Sequence, residues 1–183
     1  MNSMRKWLIM FVAVLGFAAQ AQAQDFSIRV GAALYFTNPV LFGIDAKLYA
    51  TDVARIAPSI NLGIIGGANL IFAGGVVGSI GAGPAIVFSF DRGAGFAYFG
   101  VNLGVTFSGA VNVAFAFVSG VDYALNSSIG LFADLILGVT NGIGGSLDMG
   151  VDFGLSRALD AYAKLSINFG GAFGIGGGLK FAL

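Results

Sequence analysis

From Phe26 onward, apolar and mixed positions alternate with a period of two. Phe26, Ile28, Val30, Ala32, Leu34 and Phe36 share one face; Ser27, Arg29, Gly31, Ala33, Tyr35 and Thr37 share the other. Successive strand side chains point to opposite faces, so this run predicts a strand with one greasy and one mixed side. The pattern returns in Val40, Phe42, Ile44, Ala46 and Leu48 against Gly43, Asp45, Lys47, Tyr49 and Thr51. It is sharpest in Leu147, Met149, Val151, Phe153 and Leu155 against Ser146, Asp148, Gly150, Asp152, Gly154 and Ser156. Ala161, Ala163, Leu165, Ile167 and Phe169 then alternate with Tyr162, Lys164, Ser166, Asn168 and Gly170.

Followed along the chain, the alternation predicts about ten strands, near 26–37, 40–51, 54–65, 76–90, 95–108, 110–124, 127–140, 145–156, 160–169 and 172–183. Turn formers punctuate them: Thr37-Asn38-Pro39, Asp91-Arg92-Gly93, Asn126-Ser127, Asn141-Gly142 and Gly170-Gly171. Between 65 and 83 the pattern blurs among Gly66-Gly67, Gly74-Gly75, Gly78, Gly81 and Gly83, and Pro84 cannot donate to a ladder. A count of eight strands is the alternative there.

The charges decide which face is which. Charged residues are only 10% of the chain and apolar ones 57%, against about 25% and 45–50% in an average soluble domain. Arg29, Asp45, Lys47, Asp122, Asp134, Asp148, Asp152, Lys164 and Lys180 all fall on the mixed faces. Asp25, Asp52, Arg55, Asp91, Arg92, Arg157 and Asp160 cluster at the start or around the expected turns, and the greasy faces carry no charge. An outward polar face so thinly charged does not suit a soluble sandwich. With the greasy faces outward, the chain predicts an all-β, closed antiparallel transmembrane barrel with short turns at both ends. Closure is required because an open edge would leave unpaired backbone groups in hydrocarbon. Glycines such as Gly31, Gly43, Gly120 and Gly150 on the inner face would relieve crowding in a narrow bore. A helical membrane protein is the rival, but Asp134, Asp148, Asp152 and Lys164 would fall within or beside its spans at high cost.

Residues 1–23 read as an address. Arg5 and Lys6 precede the apolar run from Trp7 to Ala19, and Ala21-Gln22-Ala23 offers an A-x-A site. A basic start, a short apolar core and small residues at the cleavage site predict a secretory signal peptide, with the barrel domain at 24–183. After cleavage seven basic residues face nine acidic ones, a net charge of −2, which excludes a basic nucleic-acid footprint.

The chemistry available is narrow. The chain has no cysteine and no histidine, and every acidic residue is Asp. Nucleophile–imidazole catalysis therefore has no base. Asp148 and Asp152, four apart on one strand face, stand roughly 13 Å apart along the strand at ~3.3 Å per residue, too far for a shared-proton pair. They are expected to be inner-wall partners for Lys164 and Arg29. No residue set calls for a metal, a cofactor or a phosphate site. Asn61, Asn102, Asn112 and Asn168 are expected to join the inner hydrogen-bond network, and Asn126-Ser127-Ser128 reads as a turn.

This pattern resembles the small outer-membrane β-barrels of Gram-negative-type bacteria, the OmpA/OmpX-like class. The resemblance covers the signal segment and the whole mature chain and is one of architecture. The last strand, Phe173-Gly174-Ile175-Gly176-Gly177-Gly178-Leu179-Lys180-Phe181-Ala182-Leu183, resembles that class's assembly signal, although Phe181 stands two residues before the end. The resemblance implies an outer-membrane location, a membrane-lipid environment and insertion by the barrel-assembly machinery through that strand. Two readings of function follow. One is a non-enzymatic structural barrel, its bore plugged by the nine inner charges. The other is a narrow channel for water, ions or small solutes, with the same residues lining an open lumen.

Overall fold

The computed structural model describes residues 26–139 and 143–183. The predicted signal segment and the Asn141-Gly142 turn lie outside the described residues. Ten strands follow one another: β1 Phe26–Phe36, β2 Leu41–Ala57, β3 Ile60–Phe72, β4 Val76–Phe90, β5 Gly95–Phe107, β6 Val111–Asn126, β7 Ile129–Val139, β8 Ile143–Gly154, β9 Leu159–Asn168 and β10 Phe173–Ala182. Each pairs antiparallel with its chain neighbours, and β1 pairs with β10 from Ser27↔Ala182 to Phe36↔Phe173, which closes the barrel. A single turn of 3-10 helix, Asp91–Gly93, joins β4 to β5. No helix among the described residues is long and apolar enough to cross a membrane.

Two stretches differ from the expected boundaries. The alternation predicts a turn near 52–55, but β2 runs on to Ala57, so Asp52 and Arg55 lie within a strand. The β2–β3 register shifts between Ala50 and Ala54 and again between Arg55 and Ala57. Such bulges insert unpaired residues and break the period of two, which imitates a strand end in the sequence. The glycine-rich stretch 65–83 is a regular hairpin: β3 pairs with β4 from Ile60↔Phe88 to Phe72↔Val76 around a turn at 73–75. Pro84 pairs with Ile64 on the β3 side; toward β5 the pairing runs Ala82↔Leu103 and then Ala85↔Gly100, so the proline sits where that ladder is interrupted.

The burial pattern is inside-out. Arg29 and Asp134 are each 2% exposed, whereas Leu103 is 65% and Val113 73% exposed. Phe42, Phe88, Phe99, Phe153, Leu165 and Ile175 also lie bare on the outside. In water this would bury the costly groups and expose the greasy ones. In a bilayer it places an apolar belt against lipid, around a ring of paired strands that has no edge. The strands span a membrane. Stacked pairs Phe36–Phe173 and Phe42–Phe72 (centroids 4.9 and 5.8 Å apart) mark one end. Phe90 and Tyr123 stack at 5.8 Å near the other, the end that holds both β1's start and β10's finish. These are called the distal and the terminal rim.

Candidate functional site

The nine charged residues of the mixed faces meet inside the barrel. Because the strands close into a ring, β1 stands opposite β6, and residues distant in sequence face one another across the bore. Four carboxylates come from one wall: Asp122 on β6, Asp134 on β7, and Asp148 and Asp152 on β8. The four bases come from the other: Arg29 on β1, Lys47 on β2, Lys164 on β9 and Lys180 on β10. Asp45 on β2 is the one acid on the basic side.

The pairs form two tiers. Nearer the terminal rim, Arg29 Nη2 donates to Asp122 Oδ2 and Asp152 Oδ2 at 2.6 and 2.7 Å. Lys180 Nζ donates to the same two oxygens at 3.0 and 2.9 Å. Further in, Lys47 Nζ donates to Asp134 Oδ2 and Asp148 Oδ2, both at 2.9 Å. Lys164 Nζ donates to Asp45 Oδ1 at 2.9 Å and Asp148 Oδ2 at 3.3 Å. Asp134 and Asp148 are directly opposite in the β7–β8 register, an arrangement of like charges that destabilises a strand pair. Lys47, bonded to both, neutralises it.

Tyrosines join the tiers. Arg29 Nη1 donates to Tyr49 Oη at 3.1 Å, Tyr49 Oη to Asp134 Oδ2 at 2.8 Å, and Tyr98 Oη to Asp134 Oδ1 at 2.6 Å. The Arg29 guanidinium also lies over the Phe132 ring, 3.9 Å from its centroid. Below this, Tyr49, Ile65, Ala85, Val87, Tyr98 and Val118 pack as an apolar cluster within the barrel. Sequence reasoning missed Tyr49, Tyr98 and Phe132 as members of the site. Their signal was present, since Tyr49 shares the face of Asp45 and Lys47 by the same alternation.

Aromatic side chains stand against some of the inner glycines in this half of the bore. A Cβ on Gly150 would meet the Phe132 ring at 2.5 Å, and one on Gly31 would collide with the Tyr162 hydroxyl. Asp148 does pair with Lys164 and Asp152 with Arg29, and each also has a second cation. Asn102 departs from its expected place: its Oδ1 is buried and has no partner. Asn126 Oδ1 accepts from the backbone N–H groups of Ser128 and Ile129 at 2.8 and 3.0 Å, which is a side-chain-capped turn.

Between the inner tier and the distal rim lies a cavity of about 300 Å³. Asp45, Lys47, Asp148 and Lys164 line its inner end, and Tyr35, Asn69, Ser79, Asn102, Ser146 and Asn168 stand around it. The bore therefore consists of a packed half and a roomy half, with the inner tier of ion pairs lining the boundary.

No protein-family model and no curated protein matches the chain. Solved structures with a similar barrel include the outer membrane phospholipase A from Escherichia coli (8% identity, 85% of this chain and 92% of that one, TM-score 0.49). Others are the KdgM porin in complex with disordered oligogalacturonate (9%, 86% and 99%, 0.45) and the translocator domain of the autotransporter NalP from Neisseria meningitidis (9%, 98% and 97%, 0.44).

Chemically, the network holds charges still. Each carboxylate of the two tiers is held by at least one cation, and Asp134 accepts two tyrosine hydroxyls besides. Its side chains bind one another across the bore, an arrangement suited to closing a lumen.

Proposed function

We propose that this protein is a non-enzymatic barrel of the bacterial outer membrane whose bore is closed by its own ion pairs, contributing to the envelope as a structural element. The observation that carries the reading is that Arg29 of β1 pairs with Asp122 of β6 and Lys47 of β2 with Asp134 of β7, strands that stand opposite one another in the ring. Side chains lining an open pore would lie along their own wall and leave water between.

Residues 1–23 are the cleaved leader that takes the chain across the inner membrane, and β10 is the strand offered to the barrel-assembly machinery. Both termini of the barrel then face the periplasm, and the distal rim faces outward. Membrane lipid is the partner of the whole exterior. The channel reading drew on space left by inner glycines, and rings occupy that space around Gly31 and Gly150.

Osmotic swelling of liposomes tests the proposal. Vesicles carrying the refolded chain 24–183 should swell in arabinose or glycine no faster than protein-free vesicles, while vesicles with an open general porin swell rapidly. Swelling that scales with the amount of this protein would overturn the closed bore in favour of a small-solute channel.

A further inference from the structure

The roomy half of the bore is more than the remainder of a plug. Its volume of about 300 Å³ lies at the small end of ligand pockets, which run from about 300 to 1,000 Å³. It ends blindly on the inner tier, so a solute entering from the distal rim meets a floor. The connections around that rim are short where described, at 37–40, 73–75, 108–110 and 169–172, so no long loop is there to fold over it.

The lining selects a class of guest. The four charged floor residues, Asp45, Lys47, Asp148 and Lys164, sum to zero and are already paired among themselves and with Asp134. A guest with net charge would have to displace one of those partners, leaving a buried ion uncompensated. Hydrogen-bonding capacity nevertheless remains. An ammonium has three N–H donors, and the bonds described for Lys47 and Lys164 use two each. The walls add carboxamides and hydroxyls that both donate and accept, and the buried Asn102 Oδ1 has no partner within the protein. Ile71, Ala114, Ala116 and Ile136 supply apolar surface between them.

Neutral, rich in both donors and acceptors, and small: from these we infer that the distal half of the bore is a binding pocket for an uncharged polyhydroxylated molecule of monosaccharide size. The inference rests on the closed-bore reading for one element, the floor that the paired residues of the inner tier supply.

Isotope-labelled chain 24–183, refolded in a detergent without a sugar headgroup, is titrated with D-glucose while its amide resonances are followed by NMR. Saturable shifts confined to the cavity residues are expected, with half-saturation in the millimolar range. Ala114→Leu, which fills the cavity without removing a polar group, and Asn102→Leu should each raise half-saturation at least tenfold. Retained heat-modifiable migration on gels reports that each variant is folded. No saturable shift with glucose up to 0.1 M, or shifts unchanged in a folded Ala114→Leu, would overturn the pocket. Shifts produced by D-glucuronate, which carries a net charge, but not by glucose would overturn the assignment to uncharged guests. Liposome swelling fails independently: a protein that binds glucose but also passes arabinose refutes the closed bore and leaves the lining chemistry standing.

Discussion

Asp134 carries more of the interior than any other single carboxylate. It accepts from Lys47, Tyr49 and Tyr98, and through Tyr49 it ties the inner tier to Arg29. Removing one partner of a buried, hydrogen-bonded ion pair costs about 3–5 kcal/mol, because the charge left behind stays out of water. Asp134→Asn should therefore lower the urea stability of the micelle-bound barrel by about that amount. Arg157→Ala, at an exposed turn position, should change it by about 0.5 kcal/mol or less. Equal effects of the two would mean that the interior is wet and its charges independent. Gly150→Ala tests the packing of this wall: the new methyl would crowd the Ala163 carbonyl of the neighbouring strand as well as the Phe132 ring beneath Arg29, with an expected cost of about 1–3 kcal/mol. No loss in that variant would show that the ring does not rest on Gly150. At this scale the sequence was half legible. A period of two put all nine charges on the mixed faces, since alternation follows from strand geometry alone. Which charge meets which depends on how the ring of strands brings β1 opposite β6, and no local pattern encodes that. Tyr98 and Phe132 went unnoticed for a related reason: an aromatic on an inner face reads as core until its partner across the bore is known.

At the level of strands, eight of the ten follow the alternation at both ends to within about two residues, the scatter usual at element ends, and β3 also runs on past its expected end at 65 to Phe72. The end of β2 and the start of β3 lie at the double register shift, where paired and unpaired residues mix and the period is lost. The glycine-rich β3–β4 hairpin was obscure because its strands have few side chains to show a pattern, although its pairing is continuous. The element that makes the molecule a barrel is the β1–β10 seam, where Val30 stands opposite Leu179 on the outer face. Directly opposed strand residues have Cα atoms about 4.5–5.5 Å apart, inside the range a disulfide spans. The chain contains no cysteine, so Val30→Cys/Leu179→Cys should oxidise to a single intramolecular disulfide once folded, read by its faster migration on non-reducing gels. Val30→Cys/Gly178→Cys puts the two thiols on opposite faces and should not. Cross-linking in the second pair and not the first would shift the seam by one residue and reverse the inside and outside of β10.

For the whole molecule, two segregations of charge matter. Charge is kept off the lipid face, which fixes the barrel in a membrane. Inside, all acids but Asp45 gather on β6, β7 and β8 and the bases on β1, β2, β9 and β10, so pairs such as Arg29–Asp122 and Lys47–Asp134 reach across the bore. Those pairs leave packed side chains toward the terminal rim and the cavity toward the distal one. Single-channel recording in a planar lipid bilayer reads this most directly, because ions pass where larger solutes cannot. The refolded chain 24–183 should give no steady conductance steps in 1 M KCl, and steps should appear only when both tiers lose their cations, as in Arg29→Ala/Lys47→Ala/Lys164→Ala/Lys180→Ala. Steady, uniform steps from the unaltered chain would contradict the account, and the nine charges would then be the lining of a pore.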